Sequence, residues 1–242
     1  SRDALKTLAS ITGTGDDAQY RRVLEAVTRQ VDSFTRRTFR TYLATYYFTP
    51  AYTKRIMLDS EVLGLGLLSV TTLKTDEDGD RTYEVTWLAT DYDLKPFNAP
   101  LRQRPYWELA VTPDGKQVFP LISKGLEIVG KWGFYEDLVT VASTLNEVLD
   151  TTETGIDVTA GSDFEVLQTI LIDSEQMYVT AIATNTLTVE RAVNGTTAAT
   201  HASGAAIKRY RYPNEVAEAT LMQASRLWTR RASGFANQVG FT

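Results

Sequence analysis

The sequence predicts an α+β protein: a small helical bundle formed by the N- and C-terminal helices and interrupted by β-rich insertions. Three observations lead there. Apolar residues recur at spacings of three and four near both ends of the chain. The long middle consists of short β-branched and aromatic runs. Pro, Gly and Asn punctuate those runs. The 242 residues suit one large domain or a domain with a sizeable insertion, and 43% apolar with 23% charged residues is the balance of a chain that folds.

Residues 3–11 form a short amphipathic turn or helix, with Ala4, Leu5, Leu8 and Ile11 on one side, broken by Gly13 and Gly15. A long helix is expected from about Asp16 to Arg37, because Tyr20, Val23, Leu24, Val27, Val31 and Phe34 keep the helical period. Asp16 and Asp17 in its first turn and Arg36 and Arg37 in its last suit the helix dipole. From Tyr42 the character changes. TYLATYYFTP, RIMLD (55–59), LLSVTTLKT (67–75) and RTYEVTWLA (81–89) read as strands, the last two joined by a DEDGD hairpin. YDLKP, YWELAV and GLEIVGKWG are further short strands. Between 143 and 209, TGIDVT, TILID, EQMYVTAI, TLTVERA and AAIKRY read as a second β module with Asn turns. The last element is a helix from Pro213 to about Arg231, striped by Ala217, Leu221, Ala224 and Trp228 and stopped near Gly234. The expected organisation is therefore 1–40 plus 210–242 as helical core and C-terminal tail, 41–142 as a β-rich insertion, and 143–209 as a second inserted β module.

Charge is unevenly spread. Residues 1–40 carry net +3, residues 41–207 net −12 and residues 208–242 net +4, which gives −5 for the chain and argues against a general nucleic-acid coat. The absence of cysteine excludes disulfides, thiolate metal sites and cysteine nucleophiles. The single histidine, His201, excludes His-based metal clusters. No apolar run is long enough to span a bilayer, and SRDALKTLAS lacks the apolar core of a signal peptide, so the expectation is a soluble, non-secreted protein with no membrane partner.

Each candidate site has a plainer reading beside it. Asp76, Asp78 and Asp80 alternate as in a calcium loop, but Arg81 and Trp87 stand where an EF-hand needs glycine and a bidentate glutamate. A solvated acidic hairpin tip explains them better. Asn194-Gly195-Thr196 matches a glycosylation sequon and also a tight turn. His201 lies in a small-residue stretch without a recognisable nucleophile turn, which favours a structural loop histidine. Gly64 and Gly66 do not continue into a dinucleotide fingerprint. Lys208, Arg209 and Arg211, interleaved with Tyr210 and Tyr212, form a short basic–aromatic cluster of the kind that binds single strands, or else a strand entering a helix. No catalytic constellation emerges, so the reading is a non-enzyme with no cofactor and no metal. The apolar groups Phe235, Val239 and Phe241 in a tail too short to form a core point to a docking partner.

Three stretches carry a family resemblance. GLEIVGKWGF (125–134) resembles a β-strand motif of tailed-bacteriophage head–tail connector (adaptor, or head-completion) proteins, siphophage type. PNEVAEATLMQASRLWTRRASGFANQVGF (213–241) resembles their C-terminal helix and tail, and residues 4–39 are similar to their first helices, down to the Arg-Thr-Phe end at Arg37–Phe39. DEDGD, DYDLKP and FP are common there as well. Residues 143–209 depart from the pattern as an extra inserted β module, itself similar to a small module of assorted phage virion proteins. The resemblance implies a helical bundle carrying a β insertion. It implies a homo-oligomeric ring, commonly of twelve copies, at the head–tail junction (neck) of the virion, made in the host cytoplasm. Such a ring sits beneath the portal protein ring and receives the next neck, stopper or tail protein. Double-stranded DNA passes through it without sequence-specific binding, which an acidic lumen would assist. It assigns portal contact to the last helix and tail, here Arg226, Trp228, Arg230, Arg231, Phe235, Val239 and Phe241. For Trp228 the stripe position equally gives a core residue locking the terminal helices. The alternatives are another neck or tail component, a stopper or terminator, or a connector whose 143–209 module binds capsid or glycan.

Overall fold

The computed structural model describes residues 2–10, 12–58 and 66–232. The chain divides into two compact units. One comprises Thr35–Asp137 with Asn194–Thr196, and the other Ser1–Phe34, Leu138–Val193 and Thr197–Thr242.

The first of these units holds seven strands: β1 (Tyr42–Phe48), β2 (Arg55–Met57), β3 (Leu67–Thr75), β4 (Val85–Thr86), β5 (Tyr92–Lys95), β6 (Glu108–Val111) and β7 (Leu126–Trp132). They form a four-stranded sheet in the order β1-β7-β3-β4 and a three-stranded sheet in the order β2-β6-β5, with every pairing antiparallel. The period of two along β7 buries Leu126, Ile128, Gly130 and Trp132 and turns Glu127, Val129 and Lys131 outward. The buried set joins Phe48, Leu67, Leu73, Leu109 and Phe119 in one apolar core. Trp87 and Phe119 stack with ring centroids 4.7 Å apart. Trp132 is fully buried and donates its indole N–H to the Ala44 carbonyl at 3.0 Å, so its one polar atom is satisfied.

Two glycines of the β7 stretch have a steric reason. A Cβ on Gly130 would lie 2.4 Å from the Ser69 carbonyl oxygen, where β3 shifts register against β7. Gly133 has φ +144°, and a Cβ there would meet the Arg40 carbonyl oxygen at 2.6 Å. The Gly-Lys-Trp-Gly pattern is thus a packing requirement of this sheet.

The second unit starts with α1 (Arg2–Leu8) and α2 (Asp17–Thr35), continues through β8 (Leu138–Thr144), β9 (Gly155–Asp157), β10 (Thr169–Ile172), β11 (Glu175–Ala183), β12 (Thr186–Glu190) and β13 (Ala206–Tyr210), and ends with α3 (Asn214–Ala232). The six strands form an antiparallel sheet in the order β8-β13-β10-β11-β12-β9. β8 is a strand that the sequence reading did not assign, although Leu138, Val139 and Val141 are typical strand residues. Twelve buried apolar residues, among them Leu149, Ile170, Met177, Val179, Leu187 and Ile207, form its core. The helices share a smaller cluster of Leu5, Tyr20, Leu24, Val27 and Ala224.

This overturns the expected fold class. Strands make up 34% of the chain and helices 23%, in three antiparallel sheets with only three helices among the described residues, so the protein is not a helical bundle with insertions. The physical reason is where apolar side chains find cover. Each β core buries twelve residues and the helical cluster five. The apolar stripe of α2 is only partly used: Tyr20, Leu24 and Val27 are buried, whereas Phe34 at its far end is 90% exposed. Helical periodicity gives a direction to bury, not the amount that is buried.

The Gly130→Ala variant should be less stable by about 1–3 kcal/mol, because its new methyl meets backbone rather than a movable side chain. Urea unfolding followed by tryptophan fluorescence measures this, and an unchanged midpoint would refute the packing role.

Candidate functional site

The C-terminal helix begins after Pro213, whose carbonyl accepts the N–H groups of Val216 and Ala217 at 3.0 Å. Ala224 is fully buried against the other helices, and Trp228, one turn on, is half-buried with its ring centroid 3.9 Å from that of Tyr20. Arg226 and Arg230 are exposed. Of the expected portal contacts, Trp228 therefore has an aromatic partner within its own chain, and Arg226 and Arg230 are on the outer side of the helix. Arg231 belongs to the helix backbone, but its side chain, and all of Phe235, Val239 and Phe241, lie outside the described residues.

The basic–aromatic cluster is a strand followed by a helix entry. Lys208 and Arg209 are successive residues of β13, paired with β8 on one side and β10 on the other, so their side chains point to opposite faces of the sheet. Asn194 (φ +56°) and Gly195 (φ +78°) are both left-handed, the geometry of a tight turn.

At the 76–84 hairpin, ligand oxygens of Asp76, Asp78, Asp80 and Glu84 lie within 4.8 Å of one another, the one such group of metal-capable side chains among the described residues. These carboxylates already accept backbone hydrogen bonds. Asp76 takes Gly79 N–H at 2.6 Å and Arg81 N–H at 3.0 Å, and Asp80 takes Thr82 N–H at 2.6 Å. Burial pushes the Asp76 carboxyl up, but the backbone N–H groups of Gly79, Arg81 and Asp78 outweigh it and hold it below the usual range. Trp87, at the EF-hand glutamate position, is buried in the apolar core. The loop is a self-capped turn.

The densest polar site involves Glu175, Arg191, His201 and Asp173. Glu175 begins β11 and is fully buried. Its Oε1 accepts from Arg191 Nε at 2.7 Å and Ala192 N–H at 3.1 Å. Its Oε2 accepts from Arg191 Nη2 at 2.8 Å and Ala199 N–H at 2.9 Å, and faces His201 Nε2 at 3.0 Å. The remaining guanidinium N–H groups reach the carbonyls of Asp150, Glu153 and Ala199 at 2.8, 2.9 and 2.7 Å, so all five donors of Arg191 are used. Burial alone would raise the Glu175 carboxyl. The hydrogen bonds from Arg191, His201 and the two backbone amides outweigh it and hold it at about 2. Sequence reasoning placed His201 in a structural loop but missed its two carboxylate partners, Asp173 and Glu175. The available signal was that Arg191 is the only basic residue between 138 and 207, amid nine acidic ones.

No family model matches the chain, and neither a curated protein nor a solved structure matches it.

Two outcomes test these geometries. Trp228→Ala should lower stability by about 2–3 kcal/mol through the lost Tyr20 contact. A pure docking role would leave the unfolding midpoint unchanged. For Glu175, whose carboxyl is depressed from 4.5 to about 2 on folding, the stabilisation is present above pH 4.5 and is lost as pH falls towards 2. Acid titration of circular dichroism should show unfolding in that window.

Proposed function

We propose that this protein is a structural component of the neck of a tailed-bacteriophage virion. In this reading it forms the adaptor ring beneath the portal, through which the genome passes and onto which the next neck or tail protein docks. One observation carries it: the stretches that resemble connector proteins coincide with framework elements. Residues 4–39 and 213–232 include α1, α2 and α3, which pack together around Leu5, Tyr20, Leu24, Val27 and Ala224. Residues 125–134 contain β7, a strand paired on both sides in its sheet, together with Gly130 and Gly133, where a Cβ would meet backbone.

The mechanism in this reading is assembly. Arg226 and Arg230 on the exposed side of α3 offer charge-assisted contacts to carboxylates of a portal, and the apolar tail residues Phe235, Val239 and Phe241 become buried when they dock. Trp228 supports the docking helix from behind through Tyr20. The β module between 138 and 207 carries nine acidic residues and one basic residue, a surface that repels DNA phosphates and lets the genome slide.

The test is the mass of the full-length protein mixed with the portal ring of the same virus, measured beside each alone. The expected result is a discrete increment equal to twelve 27.0 kDa chains, lost when residues 233–242 are removed. An intact portal that gains no mass refutes the adaptor role.

A further inference from the structure

The connection from β5 to β6 holds two large apolar side chains in water on a closed lobe of backbone. Ala99 is buried and anchors it. The Ala99 N–H donates to the Pro96 carbonyl, the Ala99 carbonyl accepts from the N–H groups of Arg102 and Arg104, and the Gln103 N–H donates to the Pro100 carbonyl, each at 3.0 Å. On this lobe Leu101 is 84% exposed and Phe97 63% exposed. A hydrogen-bonded frame therefore presents them, and fraying does not account for their exposure. Apolar groups gathered on one fixed projection mark an interaction surface, whereas scattered single ones do not. Arg102 and Arg104 are exposed beside them, no acidic residue occurs between Pro96 and Trp107, and no carboxylate pairs with either arginine among the described residues. The surface this lobe fits is acidic with an apolar centre.

The β module of the second unit carries such a surface. Leu149 is fully buried and exchanges backbone hydrogen bonds with His201 at 2.9 and 3.0 Å, and the preceding Val148 is 74% exposed. Asp150 and Glu153 follow, both exposed. Their backbone is fixed by Arg191 Nη1, which donates to the two carbonyls at 2.8 and 2.9 Å. Asp150 accepts from Thr152 and from the Glu153 N–H through Oδ1 alone, so among the described residues its Oδ2 and the whole Glu153 carboxylate have no partner. The Arg191 clamp thus holds an apolar side chain and two available carboxylates in a set arrangement.

We propose that the lobe of Leu101, Arg102 and Arg104 docks on Val148, Asp150 and Glu153 of a second copy of this chain. Charge complementarity selects that occupant: the cations of the lobe have no partner in their own chain, and the carboxylates they fit stand on the same sequence. A contact between two unlike surfaces is head-to-tail, and repeated about an axis it closes a ring. Its role as the ring-forming contact rests on the adaptor reading, although the contact itself is tested without the portal.

Sedimentation of the full-length protein up to millimolar concentration reads the contact. The expected result is self-association of the native chain that weakens as salt is raised. Arg102→Glu with Arg104→Glu on the lobe, or Val148→Lys with Glu153→Lys on the module, should each raise the dissociation constant at least about tenfold, because like charges then face each other. All four side chains are exposed, so circular dichroism should report an unchanged fold. Mixed in equal amounts, the two double variants should associate again, since each keeps the surface the other has lost. A native chain that stays single, double variants that associate as the native chain does, or a mixture that stays apart would each overturn the proposal. So would a single-chain protein whose lobe instead binds phosphatidylserine vesicles in an Arg102- and Arg104-dependent way. A single chain that still adds mass to the portal ring overturns this contact and leaves the adaptor role standing, and self-association beside an unbound portal does the reverse.

Discussion

A carboxylate with no solvent exposure organises the second unit. Glu175 collects hydrogen-bond donors from Arg191, Ala192, Ala199 and His201, and Arg191 extends the same network to the carbonyls of Asp150 and Glu153. The segments so joined have little regular structure of their own. Between β12 and β13 the chain makes one isolated bridge, from His201 to Leu149, and one short 3-10 turn at Val193–Gly195, and is otherwise largely irregular. Backbone polar groups along such a segment need partners, and one ion pair supplies several of them at once. Its worth is not additive stability. A buried pair replaced whole by apolar groups is often neutral, whereas losing one partner costs about 3–5 kcal/mol, because a charge is left alone in a dry place. What the pair provides is position: residues 150–153, 175, 191–192 and 199–201 can meet in one register only.

The first unit reaches a fixed register by different means. Among the described residues its core contains no ion pair. Lys131–Glu136 and Lys95–Glu108 lie partly exposed, where such pairs contribute little. Steric fit does the specifying there. Trp132 fills the centre of the four-stranded sheet, with Phe48 and Tyr46 against it, and the missing side chain at Gly130 lets β3 approach with a shifted register. A one-residue slip of β7 would turn Leu126, Ile128 and Trp132 outward and drive Glu127 and Lys131 into the core.

Much of the element list was readable, because alternation and turn residues are local signals. β3, β7 and β10 to β13 fall within runs read as strands from their β-branched residues, and α2 and α3 follow their apolar spacing. RTYEVTWLA shows the limit, since only Val85 and Thr86 pair, while the acidic turn before them and the buried Trp87 hold the rest. Fold class failed because it depends on relative burial, and no local pattern says that Phe34 stays in water while Ile170 and Met177 do not. The Glu175 network was illegible for a related reason. Its members come from residues 150 to 201, with no spacing rule linking them, and a glutamate at the start of a strand reads as a surface residue until the fold brings an arginine to it.

The same network bears on the charge of the whole unit. Arg191 is the only basic residue between 138 and 207, and it is consumed internally by Glu175. Among the other eight carboxylates of that stretch, Glu190 pairs with Arg21 of α2 at 3.4 Å, and the stretch itself holds no second basic residue to neutralise the rest. Basic residues resume only at Lys208, Arg209 and Arg211, and again at Arg226, Arg230 and Arg231 on the last helix. Charge is therefore segregated along the chain by the decision to bury its one intervening arginine. The sequence thus sets up two opposed fields, negative along residues 138–207 and positive on the last helix. Screening by salt weakens both effects together, since neither rests on a buried pair. The buried pair, by contrast, is insulated from salt, so the register of the module persists under conditions that erase the field it creates.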